Sequence, residues 1–389
     1  MLYSLRKFVV KIKNKLNENS FQNLLWLINI GPSIGGFSYF NDKIKAPFWI
    51  VYFLSNIYVN VIGAVLYQIY YADGLIDTLY SYFNISMSII IHSMGNWLVF
   101  ERKRLKNIFV LVKNNNDMAI QCEHNLEKLK DLLKPIKQLV IVWYLFHFIN
   151  DFLIFAILRL FKMDKFGLAP CIGLEFLNNI PNKEICILLL GSNSITAEIA
   201  VVGYDATFLF LLAHTAAMFE ILKEETLSLN NIGYSEGQEE AAAIVRKKLK
   251  DLSNCHNLLL QTWEKIQEIY SVNISVSFGL EAITICLFFV LPLDVCFRFG
   301  PFILHGIALF FLYCYQGQKV TTAAERFQEA LYCSGWENFR IDNQKMISFM
   351  LRQSQKPVTL LVASFVPVSI YTFACTMQFI YKFVTVFKT

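Results

Sequence analysis

Four acidic residues interrupt long uncharged stretches of this sequence: Asp151, Glu198, Asp205 and Glu281. An ionisable side chain is costly in an apolar surrounding, and where it persists it commonly marks a functional site. The sequence leaves two roles open for these acids. They serve a functional site, or they are structural groups that line a water-filled cavity or hydrogen-bond in protonated form between helices.

Two polar side chains, His147 and Asn150, lie one helical turn apart within one of these stretches. A polar group in lipid must be satisfied by another group, which favours both as contacts of a small ligand. A site for a small apolar molecule is typically an apolar, aromatic-lined cavity with one or two polar groups. Helical spacing adds further candidates: Tyr80, Phe83, Met87, Ile154, Ile199, Val202, Phe302 and His305. With 35 Phe and 18 Tyr in the chain, ordinary packing would produce the same spacing.

Motifs of enzymes and metal centres are not found in the sequence. The nine cysteines show no CxxC pair, and no HExxH motif or other cluster of metal ligands is present. We therefore expect no catalytic residues, no cofactor and no metal. Nothing in the sequence indicates a nucleic-acid partner.

Composition indicates an integral membrane protein. Hydrophobic residues make up 55% of the chain, charged residues only 17%, and the mean hydropathy is +0.44. A helix of about 20 residues crosses a hydrocarbon core of roughly 30 Å. Seven stretches reach about that length with few or no charges: 46–72, 78–100, 138–158, 195–222, 271–293, 299–318 and 357–381. The predicted fold class is all-α with seven membrane spans, preceded by a short amphipathic helix, Phe21–Leu27, on the membrane surface.

Topology follows from the distribution of basic residues. Of the 35 lysines and arginines, 28 fall in segments on one side of the predicted spans and seven on the other. Basic loops face the cytoplasm, which places the amino terminus inside and the carboxyl terminus outside. This is the reverse of a G-protein-coupled receptor. Cys171 and Cys186 then share an outer loop, where an oxidising environment would permit a disulfide.

The polar segment 223–270 contains a heptad pattern. This pattern predicts a packed helix outside the membrane that continues into the fifth span. Its apolar seam is Val245, Leu249, Leu252, His256, Leu259, Trp263, Ile266 and Tyr270. The polar segment after the sixth span is helical in pattern and broken near Ser334-Gly335. These patterns divide the chain into six segments. Residues 1–45 are a cytoplasmic segment, 46–222 contain four spans, and 223–270 form cytoplasmic helices that we call the anchor. Residues 271–318 contain two spans, 319–356 form a second part of the anchor, and 357–389 are the final span.

Three stretches carry a resemblance to a known family. The first is Leu249–Cys286 with His256, and the second is Leu312–Gln318, followed by Ala330-Leu331-Tyr332 and Trp336. The third combines Gln355-Lys356-Pro357, Phe365, Pro367-Val368-Ser369, Thr372-Phe373 and Tyr381. In order and spacing they resemble the insect odorant receptors, which are subunits of a ligand-gated cation channel. A gustatory receptor subunit is the alternative within the superfamily, and a polytopic transporter is a more distant one.

The resemblance implies a tetrameric channel subunit with a cytoplasmic helical anchor, located in the plasma membrane of sensory neurons. Such a subunit binds a small volatile ligand and assembles with the family's shared co-receptor. It also implies that the last helix lines the pore, with candidate residues Lys382, Phe383, Val386 and Thr389. Val386 corresponds to the hydrophobic constriction and Thr389 to the outer filter.

Two pore positions have open alternatives. Val386 would be an ordinary lipid-facing residue if the last helix did not line the pore. Lys382 departs from the family pattern, which has a small polar residue at this position. Its ammonium group either extends to the outer surface, points away from the pore, or belongs to a subunit that conducts poorly by itself.

Overall fold

Helices account for almost all of the described structure. The computed structural model describes residues 15, 18–36, 38–40, 45–70, 74–120, 123–160, 180–231, 238–290, 293–363 and 365–388. The helices are α1 (Phe21–Ile28), α2 (Ile30–Ile34), α3 (Ala46–Asn56), α4 (Ala64–Tyr70), α5 (Leu75–Phe100), α6 (Arg102–Ile120), α7 (Glu123–Leu160), α8 (Ile180–Leu227), α9 (Gln238–Val290), α10 (Leu293–Tyr332), α11 (Ile341–Ser354) and α12 (Ile370–Lys388). A π-helical stretch, Ile57–Gly63, joins α3 to α4, and 3-10 turns occupy Ser228–Asn231 and Trp336–Asn338.

A short antiparallel strand pair makes the fold mostly rather than wholly helical. Strands β1 (Leu361–Val362) and β2 (Val366–Pro367) pair Leu361 with Pro367 and Val362 with Val366. The prediction of an all-α fold is corrected at this strand pair.

Among the residues that the structure describes, four helical stretches are long and apolar enough to cross a membrane: Ala46–Tyr70, Glu127–Asn150, Gly191–Asn230 and Glu239–Val290. They overlap the first, third, fourth and fifth predicted spans. The second predicted span lies in α5, where the described residues Ser88–Phe100 form a shorter apolar stretch. The sixth and seventh lie in α10 and, in part, α12, so a total of seven crossings remains a prediction.

Helix α8 lies at the centre of the described structure and packs against α3, α5, α7 and α10. Nearly all of its side chains from Ala200 to Leu222 are buried. The sequence explains this position, because a helix that is apolar on all sides is stable only when it is surrounded. Aromatic rings join α8 to its neighbours: the ring of Phe208 lies 4.5 Å from that of Tyr270 and 4.8 Å from that of Tyr313, centroid to centroid.

The heptad seam is confirmed, because all eight of its side chains are buried. Helix α9 carries them and runs unbroken through the predicted fifth span to Val290. In the predicted cytoplasmic part, burial of each large apolar side chain contributes about 1.5–3 kcal/mol. The predicted break near Ser334-Gly335 is also present, since α10 ends at Tyr332 and Gly335 adopts a left-handed φ of 64°.

In the amino-terminal half, the described residues of the basic segment 101–137 are helical, in α6 and the start of α7. One expectation is corrected. The short amphipathic helix does form, as α1, but its apolar side chains Phe21, Leu24, Leu27 and Ile28 are buried within the protein instead of lying on a membrane surface. Hydrogen bonds from the Tyr144 hydroxyl to the Leu27 and Ile28 carbonyls hold α1 against α7.

The last helix begins later than the sequence predicts. The uncharged stretch starts at Pro357, but α12 begins at Ile370, and Ser369 caps its first turn by accepting a hydrogen bond from the Thr372 amide at 3.2 Å. Strands β1 and β2 lie before α12, and Pro367, which has no amide hydrogen to donate, ends β2. The Gln267 side chain on α9 donates to the Leu361 carbonyl at 2.8 Å and accepts from the Leu361 amide at 3.0 Å.

Candidate functional site

A cluster of polar side chains lies between α7, α8 and α10, with His147 of α7 at its centre. Glu198 and Asp205 are seven residues apart on α8 and therefore lie on one face of that helix. The Nδ1 atom of His147 is 2.5 Å from Glu198 Oε1, and its Nε2 atom is 3.3 Å from Asp205 Oδ2. The Nε2 atom of His305, on α10, lies 3.1 Å from His147 Nε2. The cluster therefore connects three helices.

The deepest group of this polar cluster is Asp205, whose side chain is fully buried. Its Oδ1 atom accepts a hydrogen bond from the Tyr313 hydroxyl at 2.6 Å. The rings of Trp143 and Phe146 cover the histidines, with Trp143 4.6 Å from the ring of His147. Low exposure to solvent strengthens each of these electrostatic interactions and makes the loss of any partner costly.

A third carboxyl group, that of Glu281 on α9, is buried beside α10. A Cβ atom added at Gly306 would lie 2.9 Å from Glu281 Oε1, so Gly306 leaves room for the carboxyl group in its present position. From the sequence, Glu198, Asp205 and Glu281 were only ionisable groups whose burial costs free energy. The structure shows that each has polar contacts or lies in a closely packed position. The side chain of the fourth acid, Asp151, lies outside the described residues.

The predicted ligand contacts divide into three groups. His147 and His305 meet directly in the polar cluster. Asn150 and Ile199 are half-buried, Val202 is buried, and Phe302 packs in a second apolar cluster between α9, α10 and α12. The side chains of Tyr80, Phe83, Met87 and Ile154 lie outside the described residues, as does the Cys171-Cys186 pair.

A cavity of about 350 Å³ lies between α7, α8 and α10. Leu139, Ala216 and Tyr315 are part of its lining. Its described lining includes none of the ten predicted ligand contacts. The position of the ligand pocket therefore remains a prediction.

Helix α12 has two different faces. One packs against the bundle through Phe373, Met377, Ile380 and Val384. The other is exposed and includes Lys382 and Val386, which are one turn apart on the same side. Phe383 lies on the bundle side and is half-buried, and Thr389 is outside the described residues. Whatever Val386 faces, Lys382 therefore faces as well.

Two of the family-like stretches meet at the base of α12. Gly317, from Leu312–Gln318, lies against Val368, from the Pro367-Val368-Ser369 segment. A Cβ atom added at Gly317 would come within 2.5 Å of the Val368 carbonyl oxygen. The Thr321 hydroxyl also donates to the Val358 carbonyl at 3.1 Å. Gly317 and Thr321 of α10 thus contact the segment that leads into α12.

The contacts within the polar cluster were not predicted from the sequence, and the sequence did not predict a group of metal ligands. The seven-residue spacing of Glu198 and Asp205 is a signal that could have shown their common face. The contact of His147 with His305 joins positions 158 residues apart, which no local pattern reveals. One donor atom each from His147, Asp205 and His305 lies within 4.8 Å of the others, although the sequence carries no metal-binding motif.

Comparison with known proteins identifies the family. The model of the 7tm Odorant receptor family matches residues 74–381. The chain is 21% identical over 359 residues to odorant receptor 85c of Drosophila melanogaster, covering 86% of this chain and 88% of that protein. It is 23% identical over 198 residues to odorant receptor 10a of the same organism, covering 46% of this chain and spanning about half the length (48%) of that relative. The chain belongs to the 7tm odorant receptor family, and the resemblance seen in its motifs is confirmed.

Solved structures share its fold. The insect olfactory receptor OR5 from Machilis hrabei matches with a TM-score of 0.75 and 14% identity, over 99% of this chain and 98% of that chain. A structure of the same receptor in complex with eugenol matches with a TM-score of 0.75 and 16% identity, over 93% and 97% of the two chains. These structures show the fold, and membership of the 7tm odorant receptor family makes the protein a multi-pass membrane protein of a family that is not enzymatic.

Proposed function

We propose that this chain is a subunit of an odorant-gated, non-selective cation channel. The subunit assembles with the co-receptor of the family into a heterotetramer in the plasma membrane of sensory neurons. Its ligand is a small volatile molecule, and eugenol bound to OR5 from Machilis hrabei is an example of the chemical class. The ligand stabilises the open state by binding it more tightly than the closed state.

The two-faced α12 is the observation that carries this proposal. Its bundle face is covered by the chain itself, whereas Tyr371 and Val386 on the other face are 77% and 73% exposed. A membrane helix with one covered face presents the other to lipid, to further subunits or to a pore. Val386 is apolar, and a ring of such side chains closes a channel by excluding water.

The base of α12 supports a gating role. The strand pair fixes the start of the helix to α9 through Gln267, and Gly317 fixes it to α10. Helix α10 also supplies His305 to the polar cluster. Ligand-dependent displacement of the helices around that cluster would therefore reach α12 through packed contacts.

Current recordings test the proposed activity. Cells that express the chain with the co-receptor should show odorant-evoked cation current without any G protein. Replacement of His147 or Asn150 by Ala should change the response across a panel of volatiles. Current that required a G protein would contradict the proposal, as would a carboxyl terminus that could not be labelled from outside intact cells.

Thiol modification tests the pore face separately. Cys375 is a native exposed cysteine on α12, so the experiment starts from Cys375→Ser. In that background Val386→Cys should make the open channel sensitive to block by a charged thiol reagent. The matched control is Ile380→Cys, because Ile380 is only 4% exposed on the bundle side. If both variants were blocked equally, or if neither was blocked, Val386 would not line the pore.

A further inference from the structure

We propose that His147, Asp205 and His305 form a binding site for one divalent transition-metal ion of the zinc type. The three side chains come from α7, α8 and α10. The Nε2 atoms of the two histidines are 3.1 Å apart, and Asp205 Oδ2 lies 3.3 Å from His147 Nε2. All three donor atoms lie within 4.8 Å of one another.

The donor set fits the chemistry of such an ion. Two imidazole nitrogens and one carboxylate oxygen are a common set for a zinc site with three protein ligands and a fourth, open position. Ligands at about 2.0–2.1 Å from a tetrahedral ion stand about 3.4 Å apart. Two of the three donor separations are already close to that value. The third, between Asp205 and His305, is within 4.8 Å, and metal binding would require it to shorten by rotation of the Asp205 carboxylate or the His305 ring.

Outer hydrogen bonds orient two of the three ligands. Glu198 accepts from Nδ1 of His147, which leaves Nε2 directed at His305 and Asp205. A carboxylate on the far nitrogen of a ligating histidine is a recurrent feature of metal sites. Tyr313 donates to Oδ1 of Asp205 and leaves Oδ2 for the ion. Within the described part of the chain, this fully buried Oδ2 accepts no well-aligned hydrogen bond.

Charge balance favours a cation at this position. Glu198 and Asp205 place two carboxyl groups around two imidazoles, with Glu281 also buried in the bundle. Among the described residues, no lysine or arginine forms an ion pair with any of these three acids. Buried carboxylates in proteins are paired or coordinate metals. The competing occupant is a proton shared by His147 and His305.

Cobalt binding by the purified full-length protein tests the proposal. The chain, freed of metal with a chelator, is titrated with Co²⁺, and Zn²⁺ is then added as a competitor. The expected result is one equivalent per chain, with the intense visible absorption of a tetrahedral or five-coordinate cobalt site and without the near-ultraviolet band of a cobalt-thiolate bond. Zn²⁺ should abolish the signal and raise the unfolding temperature, because an ion that binds only the folded state stabilises it.

Four variants assign the ligands. His305→Gln and Asp205→Asn should lose the cobalt signal, whereas Glu198→Gln should retain it with affinity reduced about 10- to 100-fold, because Glu198 orients a ligand without being one. The control is His92→Gln, since His92 is a half-buried histidine on α5 that contacts the Ser88 carbonyl at 2.7 Å. This variant should bind like the wild type. A chromatographic profile and a cooperative unfolding transition establish that each variant is folded.

Two outcomes would overturn the proposal. If the folded wild-type protein binds no Co²⁺ or Zn²⁺ at micromolar concentrations, the cluster is occupied by the shared proton and not by a metal ion. Equal binding by wild type and His305→Gln would move the ion to another site. Neither outcome affects the proposed channel function, which is measured as odorant-evoked current.

Discussion

The polar cluster around His147 and the exposed face of α12 differ in what their side chains contact. In the cluster, His147, Asp205 and Tyr313 find their partners within one chain, although they come from three different helices. On α12, Lys382 and Val386 lie on a face that this chain leaves uncovered. The first region is therefore built by the single chain, whereas the second acquires its role only in the proposed assembly. Substitutions in the cluster should alter the stability of the chain, and those on α12 should alter conduction.

Asp205→Ala should have the largest effect. It leaves the Tyr313 hydroxyl and His147 without their buried partner, and removal of one member of a buried charged network costs about 3–5 kcal/mol. We expect this loss in the free energy of unfolding of the purified protein, measured with a metal chelator present. The control, Asp131→Ala, removes an exposed acid from α7 and should change little. Similar losses from both variants would mean that the cluster does not stabilise the chain.

Gly317→Ala tests the junction between the two regions. The new methyl group would lie 2.5 Å from a backbone oxygen of Val368, which cannot swing aside as a side chain can. Overpacking of this kind typically costs about 1–3 kcal/mol. Odorant-evoked current per receptor at the cell surface should fall. Gly279→Ala is the matched control, because a Cβ atom added there has no neighbour within 4 Å. The coupling would be refuted by equal currents from the two variants.

Gln267→Ala should release the strand pair that precedes α12. Two hydrogen bonds to Leu361 are lost, each worth about 1 kcal/mol. The amides of residues 357–369 should exchange faster with deuterium, as measured by mass spectrometry. Gln267→Glu retains the acceptor but sets a carboxylate oxygen against the Leu361 carbonyl oxygen, so it should also speed the exchange. Gln261→Ala, on an exposed position of α9, serves as the control, and equally fast exchange in that variant would argue against this anchor.

Lys382→Gln should have the smallest effect on stability, within about 0.5 kcal/mol, because the side chain is exposed. If α12 presents Val386 to the pore, Lys382 faces it too. Two unit charges about 10 Å apart in water interact by about 0.4 kcal/mol, so removal of one lysine should raise cation conductance about twofold. The control is Lys345→Gln on an exposed position of α11. Unchanged single-channel conductance would instead indicate that Lys382 extends to the outer surface.

Much of the fold could be predicted because local patterns specify it. Residue spacing predicted the eight-residue heptad seam and its continuation into the predicted fifth span. The Ser334-Gly335 pair predicted the break after α10. The start of α12 was misplaced because an uncharged stretch does not distinguish an extended segment from a helix. The partner that holds this extended segment, Gln267, lies 94 residues before Leu361 and so gives no local signal.

The sequence by itself determined that this is a membrane protein, which segments are apolar enough to lie in a bilayer, and which family it resembles. These properties depend on composition, on periodicity along one helix and on short motifs. Only the tertiary structure decided that His147 meets His305 and Asp205, that Gly317 fits against Val368, and that Lys382 shares the exposed face of α12. Contacts between helices depend on how each helix is rotated and shifted against its neighbours, and that arrangement is a property of the whole packed bundle.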